Sequence, residues 1–431
     1  MVPVNSLGST VVPIHDEEEG SSIAKKKPSP LSFLSSLLQK IGVEDPRKVV
    51  HCIKVGFALV LVSLLYLLQP LYDKFGDNAM WAIMTVVVVF EFSAGATLSK
   101  GLNRGMGTIL GGGLGCLSAL LARSVGGNGK AIAIAISVFI FGMAATYFRL
   151  VPSVKKKFEY GIVIFILTFN LVAVSGFRGE EIIKLAKDRL LTITIGFSIS
   201  LFTSLLIFPV WAGDELHRSL KSKFDNVASS IEECLKEYFK LIDVEKTGTQ
   251  SSGDLDRYKS VLHSKSSDES LANFARWEPW HGRFGFSYPW NKYLHVGEFL
   301  RELAASMIQL KACLPSHRQS PQCIRSTIKE PCEAMAVLIC SALKELGDTI
   351  FNMRKCQRRE SIVAELKMAR QELNSTISTW KLGTLGNQTS SIRDELSMAS
   401  FVFMLMEMVD KVEMLAKEVQ ELGELAGFIS Q

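Results

Sequence analysis

Six ionisable residues lie within or beside long apolar runs of the chain, where a charged group is energetically costly. They are Lys54, Glu91, Lys100, Arg104, Lys187 and Arg189. Charged groups inside apolar membrane segments commonly line a water-filled cavity or an ion path, which makes the set a candidate site. A lysine or arginine near the end of an apolar helix can also extend its head group to the membrane surface, so each base alone also fits a structural role.

The net charge of this set favours an anion as the transported ion. A positive lining lowers the barrier for anions, and five of the six groups are cations. Arginine can hold a carboxylate with two parallel hydrogen bonds, whereas lysine acts as a point charge, so a dicarboxylate would suit two separated cations. We expect Glu91 to form an ion pair with Lys54 or Arg104. Hydroxyl and amide groups that could donate hydrogen bonds follow Glu91 in the sequence, at Ser93, Thr97, Ser99 and Asn103.

Six apolar segments must position these groups, and each is close to the roughly 20 residues that cross about 30 Å of hydrocarbon. The predicted segments are 49–68, 79–92, 105–123, 131–151, 160–176 and 190–211. The second is the shortest. Lys100 and Arg104 then belong to a small-residue turn before the third segment, and Arg189 begins the sixth. Six spans place both termini on one side, which the excess of lysine and arginine assigns to the cytosol.

The third segment carries a small residue at every fourth position. These residues are Gly107, Gly111, Gly115 and Ala119. Such a face allows two helix backbones to approach closely. We interpret it as one side of a tightly packed helix pair, with a dimer seam or a pore-side helix as the alternatives.

The remaining sequence predicts two further regions. Residues 1–45 are polar and are predicted to form a disordered cytosolic tail, and residues 46–212 form the six-span membrane domain. Residues 213–431 are charged and predict a cytosolic helical domain. Its first helix is expected to continue directly from the sixth span, and another is expected to start at Pro331. Apolar residues recur with helical spacing at 216, 220, 224, 227, 231, 235, 238 and 242.

Several classes of protein are excluded by what the sequence offers. A Ser-His-Asp set, a phosphate loop and a metal cluster are all missing from the pattern, so we predict neither an enzyme nor a bound cofactor or metal. The formal net charge of +5 gives no nucleic-acid signature. His281 lies in the run WEPWHGRF (277–284) without a second ligand at useful spacing, and we therefore interpret this run as a packed loop.

Four longer runs resemble the plant aluminium-activated malate transporter family. They are GVEDPRKVVHCIKVGFALVLVSLLYL (42–67), NAMWAIMTVVVVFEFSAGATLSKGLNRG (78–105), FEYGIVIFILTFNLVAVSGFR (158–178) and FPVWAGDELH (208–217). The run at 277–284 looks like that family's W-E-P-x-H-G-x-F signature. The resemblance implies an all-α membrane protein, a homodimeric anion channel with six spans per subunit followed by a cytosolic helical domain. It also implies that the family's pore residues match Lys54, Glu91, Arg104 and Arg189.

The sequence therefore predicts an anion channel that conducts malate, and other organic or inorganic anions, through a cation-lined pore. Glu91 is the expected counter-charge or gating group, and the pore cations are Lys54, Lys100, Arg104, Lys187 and Arg189. The first alternative is a proton-coupled secondary transporter that uses Glu91 as a proton relay. The second is a membrane-bound scaffold. We expect a homodimer in the lipid bilayer, in the plasma membrane rather than the vacuolar membrane, with both termini in the cytosol.

Overall fold

The structure is a computed structural model that describes residues 46–75, 79–125, 129–178, 182–240, 256–285, 287–314, 322–355, 358–384 and 392–429. Within these ranges the chain forms helices joined by turns, and no β-sheet is present. The protein is therefore all-α, as the sequence predicts. The predicted tail, residues 1–45, lies outside the described residues.

Seven helices make up the first part of the described chain. They are α1 (Pro46–Leu67), α2 (Gln69–Phe75), α3 (Ala79–Val89), α4 (Ala94–Val125), α5 (Gly129–Leu150), α6 (Pro152–Arg178) and α7 (Ile182–Leu206). Five of them, namely α1 and α4 to α7, are long and apolar enough to cross a membrane. The fragment α3 has 11 residues and spans about 16 Å, which is roughly half the hydrocarbon thickness.

The start of α4 differs from the prediction. The run after Phe92 was predicted as a turn, but the helix already begins at Ala94. The Ser93 hydroxyl accepts a hydrogen bond from the backbone N–H of Ala96 at 3.3 Å, and the N–H of Ala94 donates to the carbonyl of Val210 at 2.9 Å. These bonds satisfy N–H groups that a helix start otherwise leaves without partners. Lys100 and Arg104 consequently lie inside a helix, and Arg104 does not begin one.

The two ends of α7 also differ from the prediction. The helix begins at Ile182, so both Lys187 and Arg189 lie within it. It ends at Leu206, and the expected continuous passage into the next helix is wrong. Phe208 adopts a left-handed backbone conformation, with φ of 43°, and Pro209 follows it. Both features interrupt an α-helix, because a left-handed residue and a proline each prevent the regular hydrogen bonds.

The small-residue face of α4 packs against α6. Gly107 lies against the carbonyl of Gly161, and a methyl group added at Gly111 would be 2.6 Å from the carbonyl oxygen of Phe165. The corresponding distance from Gly115 to the carbonyl oxygen of Phe169 is 3.1 Å. The contacts advance in the same direction along both helices, so α4 and α6 run parallel. The interpretation as a tightly packed helix pair is confirmed.

A second seam joins α3 to α7, again in parallel. Gly196 on α7 lies against the carbonyl of Ala82, and a methyl group added there would be 2.9 Å from the Thr85 β-carbon. Side chains of α1 complete this part of the core, with Ala58 and Val62 fully buried beside Val86. The absence of a side chain at Gly196 thus permits the close approach of the short fragment α3 to the long helix α7.

The second part of the described chain contains seven more helices. They are α8 (Ala212–Lys240), α9 (Arg257–Leu262), α10 (Lys265–Ala275), α11 (Trp290–Ala312), α12 (Gln322–Asn352), α13 (Arg359–Thr384) and α14 (Ile392–Leu425). We call α8 to α14 the C-terminal helical region. The predicted apolar face of α8 is confirmed at residues 216, 220, 224, 227, 231, 235 and 238, which are all buried, and the predicted position 242 lies outside the described residues.

Pro331 does not start a helix, contrary to the prediction, because it lies inside α12. Packing explains how the helix continues through a residue that lacks an N–H group. The neighbouring residues Ile328, Cys332, Met335 and Ile339 are buried on one face of α12 in the core of the C-terminal helical region.

Candidate functional site

Two arginines are buried within the membrane helices. Arg104 on α4 is 5% exposed, and Arg189 on α7 is 2% exposed. The helices that carry them are in contact, because Gly101 of α4 lies against the Phe197 ring of α7. Neither forms an ion pair with a carboxylate among the described residues. An unbalanced buried charge is strongly unfavourable, so this pair is the part of the membrane region that most needs a counter-charge.

Arg104 has one neutral partner in the described structure. Its Nη1 donates a hydrogen bond to the hydroxyl oxygen of Tyr160 on α6, at 3.0 Å. Its Nε is buried and has no hydrogen-bond partner there. The small-residue contact of Gly107 with Gly161 brings α6 close enough for this bond. Because a phenol carries no charge at neutral pH, Tyr160 orients Arg104 without neutralising it.

Arg189 is supported by an aromatic ring. Its Cζ lies over the ring of Trp81 on α3, 3.8 Å from the ring centroid. Its Nε and Nη1 are buried and have no hydrogen-bond partner among the described residues. The electrostatic attraction between a cation and the face of an indole ring stabilises the guanidinium group, but it leaves the positive charge in place.

Lys54 on α1 is also buried, with 2% of its surface exposed. It makes no hydrogen bond or ion pair within the described part of the chain. Lys54 is therefore a third buried cation of the membrane helices, and it has no partner among the described residues.

Glu91 pairs with Lys100, and the expectation that it would pair with Lys54 or Arg104 is wrong. The Lys100 Nζ contacts the Glu91 carboxylate directly, and both side chains are about one third exposed. Lys100 lies about two turns inside α4, so its side chain reaches back to Glu91 in the turn before this helix. A later start for this helix was predicted from the sequence. The charge of Lys100 is thus offset, unlike the charges of the two arginines.

The remaining predicted groups have other roles or positions. Lys187 is exposed on α7. Ser93 caps α4, and the Thr97 hydroxyl bonds to the backbone of that cap and of Glu91. The Asn103 amide donates to the carbonyl of Lys157 at 3.2 Å and ties α4 to α6. Ser93 and Thr97 therefore serve the helix start, and Asn103 supports the helix pair.

Sequence reasoning missed the neutral members of the site. Trp81 and Tyr160 contact the two arginines, but neither residue carries a charge that would single it out in an apolar run. The hydroxyl groups of Thr108 on α4 and Thr168 on α6 are buried, and within the described structure they have no hydrogen-bond partner. A threonine hydroxyl in a membrane helix often bonds to the backbone of its own helix, so a threonine at these positions did not indicate a functional site.

The loop at 277–284 connects the C-terminal helical region to the membrane helices. The Glu278 carboxylate accepts hydrogen bonds from the N–H groups of Ala212 and Gly213 at 2.5 and 3.0 Å. The His281 ring stacks on Trp211, with ring centroids 3.9 Å apart. These contacts confirm that the run is a packed loop.

The same loop also reaches the start of α4. A methyl group added at Gly95 would be 2.8 Å from the Glu278 Cγ, so the backbone of Gly95, like those of Ala212 and Gly213, lies beside this carboxylate. Burial raises the pKa of the Glu278 carboxyl, and the three backbone N–H groups act in the opposite direction. Within the described residues, no group of three or more His, Cys, Asp or Glu side chains is arranged to hold a metal ion. The chemistry of the candidate site is therefore that of buried arginines with neutral partners.

Comparisons with known proteins give a consistent result. The sequence profile of the family described as "Aluminium activated malate transporter" matches residues 39–391. Aluminum-activated malate transporter 12 of Arabidopsis thaliana is 46% identical over 342 residues, which are 79% of this chain and 61% of that protein. Aluminum-activated malate transporter 2 of the same plant is 42% identical over 393 residues, which cover 90% of this chain and 77% of the relative.

A relative from a second plant shows the same similarity. Aluminum-activated malate transporter 1 of Triticum aestivum is 37% identical over 404 residues, covering 89% of this chain and 84% of the relative. The chain spans about 61% of the length of Arabidopsis transporter 12.

Proposed function

Because the chain belongs to the aluminium activated malate transporter family, we propose that it is an anion channel that conducts malate and other anions across a plant membrane. The observation that carries this proposal is the pair Arg104 and Arg189. Both are more than nine-tenths buried in membrane helices, and both keep N–H groups without partners among the described residues. A permeating anion would supply the missing counter-charge and the missing hydrogen-bond acceptors.

The chemistry of these groups suits a carboxylate. The N–H donors of arginine form a fork that matches the two oxygens of a carboxylate, and hydrogen bonds between charged groups are about twice as strong as neutral ones. Malate has two carboxylates, so two neighbouring guanidinium groups can contact it at both ends. Conduction also requires that the anion leaves again, so binding at this pair must be weak enough to permit release.

Not every predicted cation contributes equally to the proposed pore. Arg104, Arg189 and Lys54 are buried without a carboxylate partner among the described residues, so their charges act on the anion. Lys100 is paired with Glu91, and Lys187 is exposed. We assign the former three to the pore wall. Glu91 is then a counter-charge that offsets Lys100.

The arrangement of the chain in the membrane is part of the proposal. Five long helices and the short α3 make six membrane elements, so both termini face the same side. Basic residues at the α5–α6 connection (Arg149, Lys155 and Lys157) and Arg218 in α8 support the cytosol as that side. The proposed homodimer and the plasma membrane location rest on the family resemblance. Light scattering of the purified protein and a fluorescent fusion would test them.

Planar-bilayer recording of the purified full chain, with malate as the sole permeant anion, tests the function. We expect a malate current that falls about tenfold in Arg104→Gln and in Arg189→Gln, since each substitution removes a charge-assisted contact. The matched control is Arg149→Gln. Arg149 lies at the end of α5, is about half exposed and pairs with Glu159 of α6. Wild-type currents in both buried variants, with elution in gel filtration unchanged, would contradict the proposal.

A proton-coupled transporter is the competing function. It would need Glu91 to take up and release a proton during transport. The ion pair with Lys100 supports the counter-charge role instead, because the carboxylate is in direct contact with a cation whose charge it offsets. For a channel, we expect the reversal potential to follow the malate gradient alone. A reversal potential that shifts with an imposed pH gradient would favour the coupled mechanism.

A further inference from the structure

Among the described residues, Trp81 is the only aromatic ring that lies over a buried membrane arginine. A buried arginine in a membrane protein is usually paired with an acidic side chain or a backbone carbonyl. Arg189 has neither partner among the described residues. Its Cζ lies instead over the indole ring of Trp81, 3.8 Å from the ring centroid. This choice of partner determines whether the cation can still act on an anion.

We propose that Trp81 is a positioning residue that holds Arg189 toward the permeating anion and thereby sets the strength of malate binding. The proposal rests on the channel function proposed above. The Arg189 Cζ lies over the ring, 3.8 Å from its centroid, and the attraction between a cation and an aromatic ring does not require an N–H donor. Stacking therefore restrains Arg189 without using an N–H donor, and Nε and Nη1 remain available to a carboxylate.

The helix packing explains how the ring is held in place. Trp81 is the third residue of α3, and the Thr85 hydroxyl donates a hydrogen bond to the Trp81 carbonyl at 2.6 Å. Ala82, the next residue, and Thr85, one turn further along the helix, lie against Gly196 of α7. The same close seam thus fixes both the backbone that carries Trp81 and the helix that carries Arg189. The Trp81 side chain itself is partly buried.

The comparison with Lys100 shows why a neutral partner matters. Glu91 offsets the charge of Lys100 by direct contact. An acidic residue in place of Trp81 would restrain Arg189 equally well, but it would compete with malate for the same N–H donors. A cation–π contact restrains the side chain while the field of the cation remains. Trp81 therefore restrains the Arg189 side chain and leaves its N–H donors available to malate.

The test is the dependence of the current on malate concentration in bilayers that contain the full-length protein. In Trp81→Leu we expect the half-saturating malate concentration to rise at least about fivefold and the malate-to-chloride permeability ratio to fall. Trp81→Phe keeps an aromatic face and should stay within about twofold of wild type. The matched control is Tyr147→Leu, because Tyr147 on α5 is 67% exposed.

A double substitution separates this inference from the channel proposal. If Trp81 acts through Arg189, Trp81→Leu should have no further effect on malate affinity in an Arg189→Gln background. If Arg189→Gln lowers the current but Trp81→Leu leaves affinity and permeability ratio unchanged, the role of Trp81 is wrong and the channel proposal stands. Equal losses from Trp81→Leu in both backgrounds would also overturn the role of Trp81. If Arg104→Gln and Arg189→Gln both conduct like wild type, the channel proposal itself fails.

Discussion

The Glu278 carboxylate accepts a hydrogen bond from the backbone N–H of Gly213 at 3.0 Å, although 65 residues separate them in the sequence. Its other oxygen accepts from the N–H of Ala212 at 2.5 Å. Both donors belong to the first turn of α8, where N–H groups have no partner inside the helix. A carboxylate there is also favoured by the positive end of the helix dipole. The loop at 277–284 therefore determines how α8 begins after the break at 207–211.

We predict that Glu278→Gln destabilises the protein by about 1–3 kcal/mol, the usual loss when a buried donor loses its acceptor. Glutamine has one acceptor oxygen, and its amide N–H groups would face the N–H groups of the helix. Thermal unfolding of the purified protein in detergent measures the effect as a lower Tm. Glu298→Gln is the control, since Glu298 is exposed on α11. Equal Tm values for the two variants would mean that Glu278 does not stabilise the start of α8.

The second prediction compares two neighbouring glycines on α4. Gly111→Ala should destabilise the protein by about 1–3 kcal/mol, because the added methyl group would lie 2.6 Å from the carbonyl oxygen of Phe165. Gly113→Ala should be neutral or stabilising by up to about 1 kcal/mol, because a methyl group there meets no described atom within 4 Å and alanine favours a helix.

The Tm values of these two variants, measured in the same detergent, check the comparison. Gly113→Ala is itself the control for the general effect of alanine in this helix. If both substitutions lower Tm by the same amount, α4 and α6 do not pack through the small-residue face in the membrane protein.

The third prediction concerns the response to acid. His217 is buried on α8, where Nδ1 lies 2.8 Å from the Tyr293 hydroxyl and Nε2 lies 3.1 Å from the Phe351 carbonyl. Burial lowers the pKa of His217 below its ordinary value of 6.5, although the Phe351 carbonyl and Asp214 act in the opposite direction. Below pH 6.5 the unfolded chain therefore binds a proton that the folded protein does not bind.

Stability is consequently lost as the pH falls through 6.5, and it is fully present at higher pH. We expect the wild-type Tm to decrease between pH 7.5 and 5.5. The decrease should be smaller in His217→Gln, even though this variant starts from a lower Tm. His263→Gln is the control, because His263 is exposed at the end of α9. A His217→Gln protein with the wild-type pH dependence would exclude His217 as the titrating group.

The elements that follow from local patterns could be predicted from the sequence. The apolar spacing along α8 gave the buried face correctly, because burial of one helix side depends only on residue type and period. The small residues of α4 also gave a correct packing prediction, since a face without side chains permits a close approach. Both inferences use information that lies within one turn or two of each residue.

The boundaries of α4 and α7 depend on partners elsewhere in the chain. Ala94 bonds to the carbonyl of Val210, a residue far along the sequence, so no local pattern could show that the helix begins there. The partner of Glu91 was mispredicted for this reason, because a later helix start places Lys100 farther from it. Trp81 and Tyr160 were missed because a neutral partner of a cation leaves no charge pattern.

The last prediction tests whether the Glu91–Lys100 pair influences the malate current through its net charge. Lys100→Gln leaves the carboxylate uncompensated beside the proposed anion path and should lower the malate current by about two- to threefold. This effect is modest because both groups are about one third exposed and solvent screens the interaction. The double variant Glu91→Gln/Lys100→Gln removes both charges and leaves their sum unchanged, so its current should return close to that of wild type.

Ionic strength gives a second readout of the same idea. The loss in Lys100→Gln should become smaller when the salt concentration is raised, because the field of a partly exposed carboxylate is screened over about 10 Å at 0.1 M salt and about 3 Å at 1 M. A contact made directly by Lys100 to malate would behave differently. The double variant would then conduct as poorly as Lys100→Gln alone, and that result would return Lys100 to the group of cations that bind the anion.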